Sequence, residues 1–186
     1  VLGGRITRDK KTSLFRWNSL VNGVVVPRPN IIPAPYKKTK PNFSVGLNWT
    51  PSEDILVYGK YSTSFVSGGS VAGIVFKPET AKSAEAGVKA DLLDRRLRAN
   101  LAVFWAKYDD YQTAQGGNTL GQLPEFIALV PDARIRNALG TFVYPQGDVT
   151  AKGFEFELTA APVDGILLGG GLSYDKTSFK NVPGLL

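Results

Sequence analysis

The chain has 186 residues and a net charge of +6, and its basic residues are spread along it without interleaved stacking motifs, so nucleic-acid binding is not expected. It holds no Cys and no His, which removes disulfides, thiolate chemistry, histidine-based triads and the commonest metal ligand together. No apolar run reaches the roughly 18 residues that a transmembrane helix needs.

The first ten residues lack the basic start and apolar centre of a secretory signal. Val1 to about Arg8 reads as a strand entered partway, as expected if the N-terminal part of a longer protein is absent. Lys10 to Pro41 reads as a long loop carrying Lys10, Lys11, Arg16, Arg28, Lys37, Lys38 and Lys40 with no acidic residue. Within it, Leu20 to Val26 is a candidate eighth short strand.

Asn42 to Thr50 alternates, with Phe43, Val45, Leu47 and Trp49 on one face and Asn42, Ser44, Gly46 and Asn48 on the other. The turn Pro51 to Asp54 leads into a third strand, Ile55 to Phe65. Val66 to Glu79 is a second long connection. Its Gly68, Gly69 and Gly73 are followed by no Gly-Lys-Ser/Thr, so it is not a phosphate-binding loop.

The clearest signal lies between Ala81 and Tyr108. Ala84, Ala86, Val88, Ala90 and Leu92 share one face, and Glu85, Gly87, Lys89 and Asp91 the other. After a polar turn, Leu97, Ala99, Leu101, Val103 and Trp105 oppose Arg98, Asn100, Phe104 and Tyr108. Two-faced strands of roughly 9–11 residues have the length that crosses a bilayer at a tilt.

Gln112 to Thr150 is the third long connection. A sixth strand, Lys152 to Ala160, sets Phe154, Phe156 and Leu158 against Glu155 and Glu157. The turn Pro162 to Gly165 leads to a seventh, Ile166 to Tyr174, in which Gly169-Gly170-Gly171 has no helix after it and so fails as a dinucleotide motif. No segment has a helical period.

Short turns alternate with long connections. That alternation fits an antiparallel up-and-down transmembrane β-barrel with turns at one rim and long loops at the other. Trp49 falls at the turn end, and Trp105, Tyr108 and Tyr111 toward the loop end, as two interfacial belts would. If Val88, Phe154 and Phe156 face lipid, then Glu85, Lys89, Glu155 and Glu157 face the barrel interior. Asp109, Asp110 and Asp148 lack the spacing of a calcium loop. Nothing fixes two carboxylates across a cleft, so no catalytic residue, cofactor or metal is assigned.

Three stretches resemble the TonB-dependent receptors of the Gram-negative outer membrane. They are Asn42 to Phe65, with Val57-Tyr58-Gly59-Lys60-Tyr61-Ser62; Phe76 to Gln112, with Lys77-Pro78-Glu79-Thr80, Glu85-Ala86-Gly87-Val88-Lys89 and Tyr108-Asp109-Asp110-Tyr111-Gln112; and Thr150 to Ser173, with Lys152-Gly153-Phe154-Glu155-Phe156-Glu157. The resemblance implies part of a barrel of about 22 strands. It also implies a separate plug domain, a periplasmic TonB partner engaged by an N-terminal segment, and a last membrane strand, all outside this chain. It further implies energy-coupled import of a scarce nutrient, a ferric siderophore before cobalamin, haem or oligosaccharide. On that reading Arg28, Lys37, Lys38 and Lys40 would attract an anionic ferric siderophore or the phosphates of lipopolysaccharide. Glu85, Lys89, Glu155 and Glu157 would meet the plug or line the substrate path. A passive porin-like barrel, a complete eight-stranded barrel and a secreted β-sandwich remain as alternatives.

Overall fold

The computed structural model describes residues 1–15, 18–27, 32–71, 73–116, 122–129, 133, 136, 140, 142–145 and 147–181. Seven strands form one antiparallel sheet in the order β1 (Leu2–Phe15), β4 (Ile32–Ser52), β5 (Ile55–Val66), β8 (Glu79–Leu92), β9 (Leu97–Asp109), β12 (Asp148–Ala160) and β13 (Leu168–Lys180). Neighbours in this sheet follow one another along the chain, so the topology is up-and-down, open at β1 and β13. The long connections carry small hairpins: β2 (Asn18–Val21) with β3 (Val24–Pro27), β6 (Gly69–Val71) with β7 (Ile74–Phe76), and β10 (Gln112–Gln115) with β11 (Phe142–Pro145).

Several expectations change. Lys10 to Pro41 is not mostly loop. β1 runs on to Phe15 and β4 starts at Ile32, because the Pro33-Ala34-Pro35 stretch is extended and pairs with Leu14-Ser13-Thr12. Leu20 to Val26 forms a separate hairpin closed by Asn22 and Gly23 at positive φ, and adds no strand to the wall. The seventh strand starts two residues late, since Ile166 N–H closes a turn onto Val163 O, and continues to Lys180. A short helix, α1 (Pro124–Leu129), lies in the third connection, where no helical period was legible.

One row of cross-strand partners, Leu2–Val45–Tyr61–Ala84–Trp105–Lys152–Lys176, passes through every strand of the sheet. Partners in a ladder project to the same face, so this row fixes both faces of the wall. One face carries Leu47, Trp49, Val57, Val88, Leu101, Val103, Phe156 and Leu172. It is bare: Leu47 is 73% exposed, Val103 50% and Leu172 63%. A sandwich would cover such a face with a second sheet. Among the described residues the buried apolar ones are instead Ala34, Tyr36, Val71 and Val149, all at the end of the long connections. Among the described residues, no second protein layer covers this face.

The belt at the loop end differs from the sequence reading. Trp105 shares the bare face with Phe154 and Tyr174, whereas Tyr108 projects to the opposite face and Tyr111 lies beyond the strand. There Tyr111 packs edge-on against both Tyr108 and Phe179, with ring centroids 6.0 and 6.5 Å apart.

Candidate functional site

The polar face gathers Glu85 and Lys89 from β8, Glu155 and Glu157 from β12, Tyr58 from β5 and Asn100 from β9. Glu85 lies in a ladder row with Lys60, Phe104 and Gly153, and two further rows toward the turns place the others. Tyr58, Gly87, Ala102 and Glu155 lie in one; Leu56, Lys89, Asn100 and Glu157 lie in the next toward the turns. Together they line a cavity of about 490 Å³. Tyr58 donates its hydroxyl to Glu85 Oε1 at 2.8 Å, and Asn100 Nδ2 donates to Glu157 Oε2 at 3.3 Å. Asn100 Oδ1 is buried with no partner among the described residues.

Backbone chemistry makes the room. A Cβ on Gly87 would lie 2.6 Å from the Tyr58 ring, and one on Gly153 would lie 2.8 Å from the Phe104 ring. Each glycine thus lets an aromatic ring lie across the sheet surface. The resulting lining carries three carboxylates against one lysine. It offers acceptors to a basic or hydrogen-bond-donating partner, and no nucleophile is aligned with a base.

The four predicted interior residues are therefore brought together. Tyr58 and Asn100 were not predicted as part of the set, although their strand parity puts them on the same face. Arg28 lies outside the described residues. Lys37, Lys38 and Lys40 occupy β4 rather than a loop, and alternation separates them. Lys37 projects with the bare apolar face, opposite Lys10. Lys38 and Lys40 project with the polar face, opposite Asp9 and Thr7.

A second feature of the polar face was not legible in the sequence. The connection containing β6 and β7 folds onto the inner side of β1 and β4. Lys11 Nζ donates to Gly68 O at 2.7 Å, Gly68 N–H donates to Tyr36 Oη at 3.1 Å, and the Ser13 and Ser70 hydroxyls are hydrogen-bonded. The buried Glu79 carboxylate accepts Gln112 N–H at 2.8 Å, tying the same connection to the next one. The acidic residues at the rim are also engaged. Asp109 pairs with Lys107 at 2.6 Å, and Asp148 accepts from Asp110 N–H and from Asn181 Nδ2.

The profile of the family described as "TonB dependent receptor-like, beta-barrel" matches residues 1–185. The metal-pseudopaline receptor CntO of Pseudomonas aeruginosa is 37% identical over 76 residues, 40% of this chain and 11% of that protein. Among solved structures, the ferric yersiniabactin uptake receptor FyuA of Yersinia pestis superposes with a TM-score of 0.65 at 16% identity, over 97% of this chain and 24% of the receptor. The siderophore receptor PiuA of Acinetobacter baumannii gives 0.58 at 19% identity, over 96% and 23%. The chain thus spans about a tenth of the curated relative and about a quarter of the solved receptors, whose likeness is one of fold. With its profile matched along almost the whole length and its apolar face bare, the chain belongs to the TonB-dependent receptor β-barrel family.

Proposed function

We propose that this chain is one side of the barrel wall of a Gram-negative outer-membrane receptor that imports a scarce nutrient by energy-coupled transport. The observation that carries the reading is the two-faced wall of a TonB-dependent receptor barrel. Its outer side is bare and apolar, and its inner side is charged and carries an infolded connection. The cargo is a metal bound to a small chelator, a ferric siderophore first, supported by the names of FyuA, PiuA and CntO.

In this reading the wall contacts outer-membrane lipid outside and the protein's own plug domain inside. Glu85, Glu155 and Glu157, with Lys89 among them, hold donors on the plug until periplasmic TonB, engaged by a segment N-terminal to the barrel, displaces it. Lys38 and Lys40, on the inner face near the loops, draw an anionic chelate toward the mouth. The plug, the TonB segment and the remaining strands of a barrel of about 22 belong to the rest of the protein.

Uptake of radiolabelled ferric siderophore by cells carrying the full-length receptor tests this. Uptake should stop when the proton-motive force is collapsed, and Lys38→Gln with Lys40→Gln should slow it most at low salt. Transport that continues in de-energised cells would show a passive pore instead.

A further inference from the structure

At the loop end the long connections group the wall strands into the hairpins β1–β4, β5–β8 and β9–β12, and the seams between them differ. On the outer face the last apolar residues are Ala84 on β8, Trp105 on β9, Phe154 on β12 and Tyr174 on β13. The β8–β9 seam stays paired to Thr80 and Asp109, four residues beyond Ala84 and Trp105. The β12–β13 seam stays paired to Asp148 and Lys180, six beyond Phe154 and Tyr174. On β4 and β5 the apolar residues run on to Pro41 and Phe65, yet the last pair in that seam is Ser44 with Ser62, three residues short of them. Both strands continue, β4 along β1 to Ile32 and β5 along β8 to Val66. At about 3.3 Å per residue, the seam opens about 10 Å below the edge of the apolar face.

The local chemistry lets this fork stand open. In β4 the odd-numbered residues turn their backbone groups toward β5, since Gly46 spends its own on Val1 at the other edge. An unpaired N–H at the depth of an apolar face is costly. Phe43 N–H donates to Thr63 Oγ1 at 3.0 Å, and Pro41, the next residue turned to the fork, has no N–H. The following N–H on this edge belongs to Thr39, beyond the apolar face. Phe43, Pro41 and Phe65 flank the fork on the outer side, Asn42 and Ser64 on the inner side, and Lys40 and Lys38 follow on the inner face of β4. Phe43 packs down onto Tyr61 at the foot of the fork, ring centroids 5.8 Å apart. Above, the connection held by Lys11 and Tyr36 crosses the inner side of β1 and β4. The opening is thus bounded below by an aromatic pair and above by that connection.

We propose that the fork admits an apolar tail of the cargo, which makes that cargo an amphiphile: an anionic metal chelate carrying a fatty acyl chain. The inference rests on the reading of the chain as part of a chelate-importing receptor. The chelate head stays on the polar inner face, where Lys38 and Lys40 supply positive charge. Its tail passes between Asn42 and Ser64, then between Pro41 and Phe65, and lies in the outer leaflet beside Phe43. A wholly polar chelate gains nothing from an opening at that depth. A membrane lipid would have to draw its headgroup below the apolar edge to use it, whereas a tailed chelate inside the barrel holds its head there on a polar wall.

The test is uptake, by cells carrying the full-length receptor, of matched anionic ferric chelates with hydroxamate, catecholate or phenolate donors, each made with and without a fatty acyl chain. In at least one pair the acylated member should enter about tenfold faster at limiting concentration. Asn42→Cys with Ser64→Cys, bridged by a bis-methanethiosulfonate reagent, should remove that advantage without slowing the tail-free member, and reductant should restore it. In the unmodified receptor, a diazirine at the end of the tail should label β4 and β5 around Phe43 and Phe65, and not inner-wall residues such as Glu85. Equal uptake of both members of every imported pair overturns the inference and leaves the receptor reading standing, whereas import of no pair overturns both. An acyl advantage that survives the bridge, or labelling confined to the inner wall, overturns the inference as well. Labelling of the fork by a diazirine lipid that the acylated chelate does not displace would assign the opening to lipid instead.

Discussion

Lys11 and Tyr36 face each other across the ladder of β1 and β4 and grip the two peptide groups of Gly68 between them. The Lys11 ammonium donates to the Gly68 carbonyl and lies 5.7 Å from the centre of the Tyr36 ring, whose hydroxyl accepts the Gly68 N–H. Tyr36 is 5% exposed, so Tyr36→Phe leaves a buried donor unpaired. The loss is about 1–3 kcal/mol of local stability. Hydrogen exchange at Gly68 and its neighbours should accelerate, while amides of β8 and β9 keep their protection. Uniform protection in the variant would show that the connection is held by something else.

Gly68 is confined for a further reason. A Cβ there would meet the Phe76 carbonyl and lie 2.8 Å from Lys77 C and Pro78 N, all backbone atoms that cannot rotate away. Gly68→Ala should therefore dislodge the connection more than Tyr36→Phe does, exposing it to added protease in whole cells. By contrast Gly23, with no atom within 4 Å of an added Cβ, needs glycine only for its φ of 80°. Gly23→Asn should leave protease sensitivity unchanged, because asparagine tolerates that conformation.

The parts legible in the sequence were those governed by a period of two. Val88, Leu101 and Phe156 were assigned to one face by alternation alone, and the ladder joins them in one row. Glu85, Lys89, Glu155 and Glu157 were placed together by the same parity. Parity could not show where a strand stops once it leaves the membrane. Above the apolar edge both faces are polar, so Lys37, Lys38 and Lys40 carry no alternating signal although β4 continues through them. The seating of Gly68 under Tyr36 was also hidden, since it depends on a contact across 32 residues. The fork between β4 and β5 needed the register, which no single strand contains.

Asp91 and Arg98 form a two-pronged ion pair on the inner face beside the turn, at 2.6 and 2.9 Å. The planar guanidinium matches both carboxylate oxygens, which fixes the register of the β8–β9 hairpin more than it stabilises the fold. Arg98→Asp should slow assembly of the barrel in vesicles by setting like charges opposite each other. Adding Asp91→Arg should restore the rate. Assembly that stays slow in the doubly reversed protein would mean that Arg98 acts through another neighbour.

Asn100 and Leu101 are adjacent in β9 and give the sharpest test of which side meets hydrocarbon. Leu101 is 41% exposed in the middle of the apolar face, flanked by Val88 and Phe156, whereas Asn100 lines the inner cavity beside Glu157. Lysine at a lipid-facing position near the midplane costs about 2–4 kcal/mol. Leu101→Lys should lower the urea midpoint of the full-length barrel in vesicles accordingly. Asn100→Lys adds its charge on the polar face between Glu157 and Lys89 and should lower the midpoint by much less. Because the two positions share a strand and a depth, the comparison turns on which face of the wall receives the charge. Equal losses would place protein or water, rather than acyl chains, against Leu101.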